Sequence, residues 1–360
     1  MKEKQLIIFS FLSLSIIGLV MIYSSSYIWA LYKYNNQYKF LFNQLIFFIL
    51  GLFLLLIVYK MDLNIIKRYS NHLLILAIIL LGLVLIPGVG IVRNGSRSWF
   101  GIASFGIQPS ELAKLALIIY TAKYLSLNYS VMKNIKKGLI PILIVIFLFF
   151  GLIMLEPDFG SGFILVASII GMLFIGNTRL SFFTYSALFG MLGISGLVLV
   201  APYRMARIIS FLNPWSDPLG TGFQIIQSLY AIGPGGLFGQ GFMNSIQKHF
   251  YLPEPQTDFI FAIIAEEFGF VGILVIVSLF FIIFYAAMRI AFKEHDLFKK
   301  YLVFGLAFNI IFQAFLNLGV VIGLLPVTGV TLPFISYGGS SLIISILEIG
   351  LILNISCDLK

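Results

Sequence analysis

Long apolar stretches alternate with short polar segments along the chain, and this pattern predicts a bundle of membrane-spanning helices. Ten of the apolar stretches reach, or nearly reach, the ~20 residues that a helix needs to cross a bilayer. They lie at about 6–28, 41–59, 72–86, 109–125, 139–155, 159–176, 181–201, 258–287, 301–325 and 335–355. The third and fifth stretches are short for a span. We therefore predict an all-α polytopic membrane protein in which residues 1–360 form a single integral membrane domain.

The composition supports this class of protein. Of the 360 residues, 60% are hydrophobic and only 10% are charged, which is more apolar surface than a soluble domain of that size can bury. The N-terminal MKEK and the apolar run after it resemble a secretion signal, but the run continues to Ile22 without a small-residue cleavage site. We interpret it as an uncleaved first span. The single cysteine, Cys357, excludes an intramolecular disulfide, and three histidines without a Cys/His cluster argue against structural zinc.

The basic residues predict the orientation of the bundle, because Lys and Arg accumulate in short loops that stay in the cytoplasm. If the N-terminus is inside, 15 of the 23 basic residues fall on the cytoplasmic side, seven fall outside and Lys114 lies within a helix. The outer seven are Lys33, Lys39, Arg93, Arg97, Arg204, Arg207 and Lys248. We therefore predict that both termini are cytoplasmic. Most of the net charge of +9 is then an orientation signal, which argues against binding to nucleic acid.

The longest segment between spans, about 202–257, joins spans seven and eight and is predicted to be a large extracellular loop. Turn-forming sequences such as NPWSDPLGTG and GPGGLFGQG fill it, and ordered loops of this length often carry function. Within it, Phe223–Ile232 has apolar residues at helical spacing with Gln224 and Gln227 among them, which predicts a short interfacial helix. That helix either caps the bundle or contacts a substrate.

Four acids crowd the segment YLPEPQTDFIFAIIAEEFG at residues 251–269. Ionised groups at membrane depth are costly, so they usually face a wet cavity or a partner and mark function. Asp258 lies at the outer mouth of span eight and is the candidate catalytic residue. Glu266 and Glu267 lie about two turns further in, where they are better interpreted as supports or as partners for buried cations. Glu254 belongs to the loop.

The segment QPSELAK opens the fourth span and carries a second constellation. Pro109 suits the first turn of a helix, where its missing N–H costs nothing. Glu111 and Lys114 are three residues apart, so they share a helix face and can pair within the bundle. The pair either orders the helix or lets Lys114 bind an anionic head group while Glu111 sets its position.

The segment EPDFGSG breaks the chain between spans five and six and places two carboxylates, Glu156 and Asp158, at the outer junction. Paired carboxylates can hold a divalent cation through oxygen ligands, which suits magnesium or manganese. A helix-end cap would look similar in sequence.

Cations on the same outer side, Arg97, Arg204, Arg207 and Lys248, complete the candidate chemistry. Arginines grip phosphate oxygens bidentately, so together with a protected carboxylate these residues indicate a substrate that carries phosphate on a lipid. The alternative is ordinary anchoring at the membrane interface by snorkelling side chains.

The segment GLLPVTGVTLPFISYGGSS, at residues 323–341, turns the chain between spans nine and ten. Its prolines and its Gly338 and Gly339 pair allow a close backbone approach, contact with an anion, or simply a re-entrant turn. Glu348, deeper in span ten, has no partner that the sequence identifies.

Together the motifs QPSELAK, EPDFGSG, FLNPWSDPLGTGFQIIQSLYAIGPGG, YLPEPQTDFIFAIIAEEFG and GVTLPFISYGGSS resemble those of the SEDS family, the shape, elongation, division and sporulation proteins of bacteria. The resemblance covers nearly the whole chain in the right order. PEPQTDF and PVTGVTLPF are more similar to the FtsW and SpoVE branch than to RodA. Many members have His immediately before the Thr of the first motif, whereas this chain has Gln256, so we assign no role to a histidine there.

The resemblance implies a peptidoglycan glycosyltransferase that polymerises lipid II at the outer face of the plasma membrane, with a class B penicillin-binding protein as its transpeptidase partner. The family's catalytic aspartate falls on Asp258, and its other sensitive positions fall on Glu111, Lys114 and Asp158. Asp258 would then act as general base on the acceptor sugar's 4-hydroxyl. Cations or a divalent ion would stabilise the leaving pyrophosphate.

Two other functions stay open at this point. A ten-span bundle with polar groups at depth also suits a transporter that flips lipid II. A transporter would more naturally carry polar residues through both halves of the bilayer, whereas here they cluster outward. A non-catalytic scaffold for the cell-wall machinery is the third candidate.

Overall fold

The computed structural model describes residues 2–93, 95–102, 105–200 and 202–358, which are helical for most of their length. Twelve α-helices occur in this part of the chain. They are α1 Lys2–Tyr34, α2 Lys39–Lys60, α3 Leu63–Val84, α4 Pro109–Asn128, α5 Ile140–Leu155, α6 Phe159–Ile175, α7 Leu180–Val200, α8 Pro202–Leu212, α9 Phe223–Ile232, α10 Ile260–Lys293, α11 Leu297–Val321 and α12 Gly339–Asp358. Each of the ten predicted spans coincides with one of them, and α8 and α9 lie between the seventh and eighth.

Seven helices of the described part are long and apolar enough to cross a membrane: α1, α2, α3, α5 with the π-helical turn before it, α10, α11 and α12. Two of the other predicted spans depart from that standard for visible reasons. Helix α4 carries Glu111, Lys114 and Lys123, and α6 is only 17 residues long. The structure therefore shows a polytopic helical protein, and the number of ten spans stays a prediction.

The structure differs from the sequence prediction at the start of α3 and in the segment between α3 and α4. Helix α3 begins nine residues before the predicted span, because the Asp62 side chain accepts the N–H of Asn64 at 2.9 Å and caps the helix there. The all-α prediction is wrong between α3 and α4, where β1 Ile91–Arg93, β2 Ser96–Ile102 and β3 Phe105–Ile107 form an antiparallel sheet in the order β1–β2–β3. Gly95 lies beside the Arg93–Ser96 pair, where the chain passes from β1 to β2, and its φ of 82° is one that glycine adopts readily.

The segment 202–257 is also more helical than predicted. Helix α9 has the predicted bounds, Phe223–Ile232, but α8 precedes it at Pro202–Leu212. Helix α12 begins at Gly339, four residues after the predicted start of the tenth span.

Helix α11 lies at the centre of the bundle, where it packs against α10, α4, α6 and α12. Helix α1 packs along α10, α2 along α12, and α3 along α4. Three polar residues of α11, Asn309, Gln313 and Asn317, are spaced by four and therefore share one helix face. All three are buried, so this face brings hydrogen-bonding groups into a largely apolar interior.

Helix α10 is interrupted at Gly269, whose backbone angles of φ 62° and ψ −157° are not helical. The loop at 235–241 bonds the backbone groups that the kink leaves free. The carbonyls of Glu266 and Glu267 accept the N–H groups of Gln240 and Gly241 at 2.9 and 3.0 Å. Because a membrane interior supplies no other partners, this pairing is what makes the kink tolerable.

Candidate functional site

Asp258 lies in the turn immediately before α10 and is partly exposed. Within the part of the chain that the structure describes, its carboxylate takes part in no hydrogen bond or ion pair. The connection between α11 and α12, residues 322–338 and here called the α11–α12 loop, passes beside it. A Cβ atom on Gly329 of that loop would lie 3.9 Å from Oδ2 of Asp258. The carboxylate is therefore accessible to a ligand and is not occupied by a neighbour.

The backbone under Asp258 is held firmly. The carbonyls of three consecutive residues, 256–258, all accept hydrogen bonds from α11 or the α11–α12 loop. The donors are the N–H of Tyr337 at 2.8 Å, the hydroxyl of Ser336 at 2.6 Å and the amide of Asn317 at 2.7 Å. An unengaged carboxylate on a fixed backbone is the arrangement that a general base needs.

Glu111 and Lys114 form the ion pair that their spacing predicted, with 2.9 Å between Oε1 and Nζ. Both are buried, with 6% and 1% of their surface exposed. The Lys114 ammonium also donates to Gln313 Oε1 at 2.8 Å, and Gln313 Nε2 in turn donates to the Thr331 carbonyl at 3.0 Å. An ammonium has three N–H donors, and these two partners use two of them. The pair thus joins α4 to the same loop that lies beside Asp258.

The two acids of EPDFGSG have different surroundings. Asp158 caps α6, because its Oδ1 accepts the N–H of Ser161 at 3.1 Å, while Oδ2 accepts from Gln108 Nε2 at 2.8 Å. The Glu156 carboxyl is fully buried, and neither of its oxygens is bonded within the described residues. Burial, and then the charge of Asp158, raise the pKa of Glu156 to about 9, so this group is neutral at pH 7.

This donor set does not fit the predicted magnesium or manganese ion. Both oxygens of Asp158 already accept hydrogen bonds, and Glu156 favours its protonated form. Among the residues described, no three His, Cys, Asp or Glu side chains come together as metal ligands. Magnesium needs at least one or two ionised carboxylates whose oxygens can turn to the metal. The segment is better described as a helix cap beside a buried neutral acid.

Lys248 is placed differently from the prediction that it binds substrate. Its ammonium is buried and pairs with Glu267 Oε1 at 2.7 Å, and it also donates to Ser24 Oγ at 3.2 Å. We therefore correct its assignment to a structural cation. Glu267 is the partner of a buried cation, as its depth suggested. Glu266 is a support, because it accepts from the Ser245 hydroxyl at 2.6 Å and holds the loop before α10.

The arginines divide between two regions. Arg207, exposed on α8, donates to the Val327 carbonyl of the α11–α12 loop at 3.2 Å and so lies on the Asp258 side of the bundle. Arg97 on β2 donates to the Leu85 carbonyl at 3.4 Å, and no described contact joins it to the α11–α12 loop. Arg204 also belongs to α8, but its side chain lies outside the described residues.

The sequence prediction missed the polar face of α11. Asn309 Nδ2 donates to Glu348 Oε1 at 2.7 Å, which gives that acid the partner the sequence could not identify. Gln313 contacts Lys114, and Asn317 contacts Asp258. The regular spacing of four was the available signal, because amides repeated at i, i+4 and i+8 in an apolar helix must share one buried face.

Comparison with known proteins gives a consistent result along the whole length. The chain matches the FtsW, RodA and SpoVE family, described as "Cell cycle protein", over residues 4–360. Stage V sporulation protein E of Bacillus subtilis (strain 168) is 48% identical over 354 residues, covering 98% of this chain and 96% of that protein. A protein named probable peptidoglycan glycosyltransferase FtsW, from Trichlorobacter lovleyi, is 43% identical, covering 97% and 91%.

Solved structures share the fold. A chain described under "Structural coordination of polymerization and crosslinking by a peptidoglycan synthase complex" has a TM-score of 0.80 at 30% identity, covering 98% of this chain and 97% of that one. The rod shape determining protein RodA of Thermus thermophilus has a TM-score of 0.73 at 27% identity, covering 98% and 96%. The likeness therefore extends to every region of the candidate site.

Proposed function

The chain belongs to the FtsW, RodA and SpoVE family and is a multi-pass plasma-membrane protein, and from this premise we propose that it is a peptidoglycan glycosyltransferase that polymerises lipid II with Asp258 as general base. The observation that carries the assignment of the base is the unengaged, accessible carboxylate of Asp258 on a backbone held by three hydrogen bonds. Other acids of the described site are capped, paired or buried.

The reaction we propose is a displacement at the anomeric carbon of a lipid-linked donor sugar. The Asp258 carboxylate takes the proton of the acceptor sugar's 4-hydroxyl. The oxygen of that hydroxyl forms the new glycosidic bond. The bond from the anomeric carbon to the pyrophosphate breaks, and the lipid pyrophosphate leaves with the electron pair. Negative charge develops on that group, and Lys114, Arg204 and Arg207 are the cations we assign to stabilise it. Asp158 acts indirectly by capping α6, and Glu111 acts indirectly by pairing with Lys114.

The proposal includes an orientation in the membrane. Ten spans, both termini in the cytoplasm and an extracellular segment at about 202–257 would place Asp258 at the outer face. The distribution of the basic residues supports this arrangement, as does the coincidence of each predicted span with a helix of the structure. Helix α8 would then lie at the outer membrane surface, next to the α11–α12 loop.

We further propose that a class B penicillin-binding protein is the partner that cross-links the strands. The support is the similarity to a chain of a peptidoglycan synthase complex in which polymerization and crosslinking are coordinated. The lipid substrate and surrounding membrane lipids would be the other ligands.

The test uses the full chain, purified with its partner and reconstituted into vesicles that contain fluorescent lipid II. Two quantities are followed in one sample: the length of the glycan product on a gel, and the fraction of lipid II on each face of the vesicle. Polymer from the wild type and none from Asp258→Ala would support the enzyme. Movement of lipid II without polymer would identify a transporter instead, and partner binding without either activity would identify a scaffold.

A further inference from the structure

Asn317 makes an unusual double contact at the base of the site. This residue of α11 is buried, with 1% of its surface exposed. Its side-chain Nδ2 donates to the Asp258 carbonyl at 2.7 Å and to the Val330 carbonyl at 2.7 Å. Both N–H donors of the amide are therefore used, one on the turn before α10 and the other on the α11–α12 loop.

The rest of the amide does not compete with these two bonds. Oδ1 of Asn317 is buried without a hydrogen-bond partner among the described residues, so the two donations alone orient the group. Exchanging the oxygen and nitrogen of the amide would point an acceptor at two carbonyls, which excludes the other orientation. The amide therefore clamps the two carbonyls in a single orientation.

The clamp acts on the peptide unit that carries the proposed base. Ser336 and Tyr337 donate hydrogen bonds to the carbonyls of residues 257 and 256, so the turn before α10 can form without Asn317. The contact at Asp258 is different, because only the backbone and side-chain torsions of that residue separate the clamped carbonyl from the carboxylate. Val330 follows Gly329, on which a Cβ atom would lie 3.9 Å from Oδ2 of Asp258. The Asn317 amide thus sets the positions of the Asp258 turn and of the α11–α12 loop relative to each other.

We propose that Asn317 is a positioning residue for the glycosyl transfer: by clamping the Asp258 peptide and the α11–α12 loop together, it sets the distance between the base and the acceptor sugar. The inference rests on the proposed role of Asp258. It assigns to Asn317 an effect on the rate of the chemical step rather than on the binding of lipid II.

The structure provides a matched control at the other end of the bundle. Asn354 of α12 is also buried and also donates through one amide to two carbonyls, Val58 at 2.9 Å and Met61 at 2.8 Å. It lies 14 residues beyond Ser340, which contacts the start of α4, so the rise of a helix places it about 21 Å away along α12. Replacing Asn354 removes the same kind of clamp without touching the site.

The experiment measures kcat and KM for lipid II polymerisation by Asn317→Ala and Asn354→Ala in the partner complex. Displacement of a reacting group by about 1 Å costs on the order of 100-fold in rate. We expect kcat of Asn317→Ala to fall roughly 10- to 100-fold with KM nearly unchanged, whereas Asn354→Ala keeps the wild-type kcat. Asn317→Ser, which retains one donor, should recover part of the loss and also serves if the alanine variant does not fold.

A double variant separates positioning from general damage. If Asn317 acts through Asp258, adding Asn317→Ala to Asp258→Asn lowers the residual rate no further. An additive loss, or equal kcat values for Asn317→Ala and Asn354→Ala, would overturn the positioning role while leaving Asp258 as the base. Full activity of Asp258→Asn alone would instead overturn the proposed function on which this inference rests.

Discussion

The buried ion pair between Lys248 and Glu267 allows a quantitative prediction about stability. Both side chains are fully buried, and their Nζ and Oε1 atoms are 2.7 Å apart. Lys248→Met keeps an unbranched side chain of similar length and removes the charge. Glu267 then retains the Ser24 hydroxyl, at 2.7 and 2.9 Å, and a weak contact at 3.5 Å from the Ser245 N–H. Neither group neutralises the carboxylate.

The expected cost follows from that geometry. Removing one partner of a buried pair leaves an uncompensated charge and costs about 3–5 kcal/mol. The remaining serine hydroxyl offsets part of this penalty, since a hydrogen bond to a charged group contributes about 1.5–3 kcal/mol. We therefore expect Lys248→Met to lose about 3 kcal/mol, at the lower end of the range. Adding Glu267→Gln removes the stranded charge and should restore most of the loss.

The assay is thermal unfolding, in one detergent, of the wild type, the two single variants and the double variant. The quantity measured is the half-life of the folded protein at a fixed temperature, because membrane proteins seldom unfold reversibly. The double variant should outlast Lys248→Met by a clear margin. A half-life of Lys248→Met equal to that of the wild type would refute the reasoning, and so would a double variant whose losses simply add.

Three further predictions follow from single positions. Gly269→Ala forces a side chain into φ 62° and places its Cβ in a steric clash with the backbone N of Gly239, so it should cost at least about 3 kcal/mol. Gly82→Ala, in open space on α3, should leave the unfolding temperature unchanged or raise it. Burial raises the pKa of Glu156 from 4.5 to about 9, so folding takes up a proton and stability falls as the pH rises through that interval. Glu156→Gln should flatten the dependence of the unfolding temperature on pH. A dependence equal to that of the wild type would contradict this prediction. Lys114→Met should abolish most of the polymerisation activity in the lipid II assay, whereas Lys123→Met on the same helix should keep that activity. Similar activities of the two variants would show that Lys114 has no role in the site.

Local features were predictable from the sequence. Pro109 marked the first residue of α4, and the three-residue spacing of Glu111 and Lys114 predicted their ion pair, because helix geometry alone brings those side chains together. The bounds of α9 followed from apolar spacing in the same way. Each of these depends on residues within one or two helical turns.

Features that depend on which loop packs on which helix were not predictable. Lys248 and Glu267 are separated by a loop and about the first two turns of α10, so nothing in their spacing indicated a contact. The kink itself needed both Gly269 and the backbone of the loop at 235–241. Hydropathy likewise marked only the apolar part of α3, whereas the helix extends back to the cap that Asp62 provides. For the ion pair and the kink, a second segment distant in sequence supplies the bonding partner; the cap of α3 is local, but it is polar and so hydropathy does not mark it.

The clamp by Asn317 lies between these extremes. The spacing of Asn309, Gln313 and Asn317 was visible in the sequence and indicated one polar face on an apolar helix. Which carbonyls that face would meet could not be known, because they belong to the turn before α10 and to the α11–α12 loop.

The rate of glycan polymerisation by Asp258→Asn tests the central claim most directly. The substitution keeps the size of the side chain and removes its capacity to accept a proton, and a general base contributes about 10²–10⁴-fold to rate. Glu254→Gln, four residues earlier in the same turn, loses the same charge and serves as the control. We expect a loss of that size for Asp258→Asn and a rate close to wild type for Glu254→Gln. Wild-type polymerisation by Asp258→Asn would contradict it.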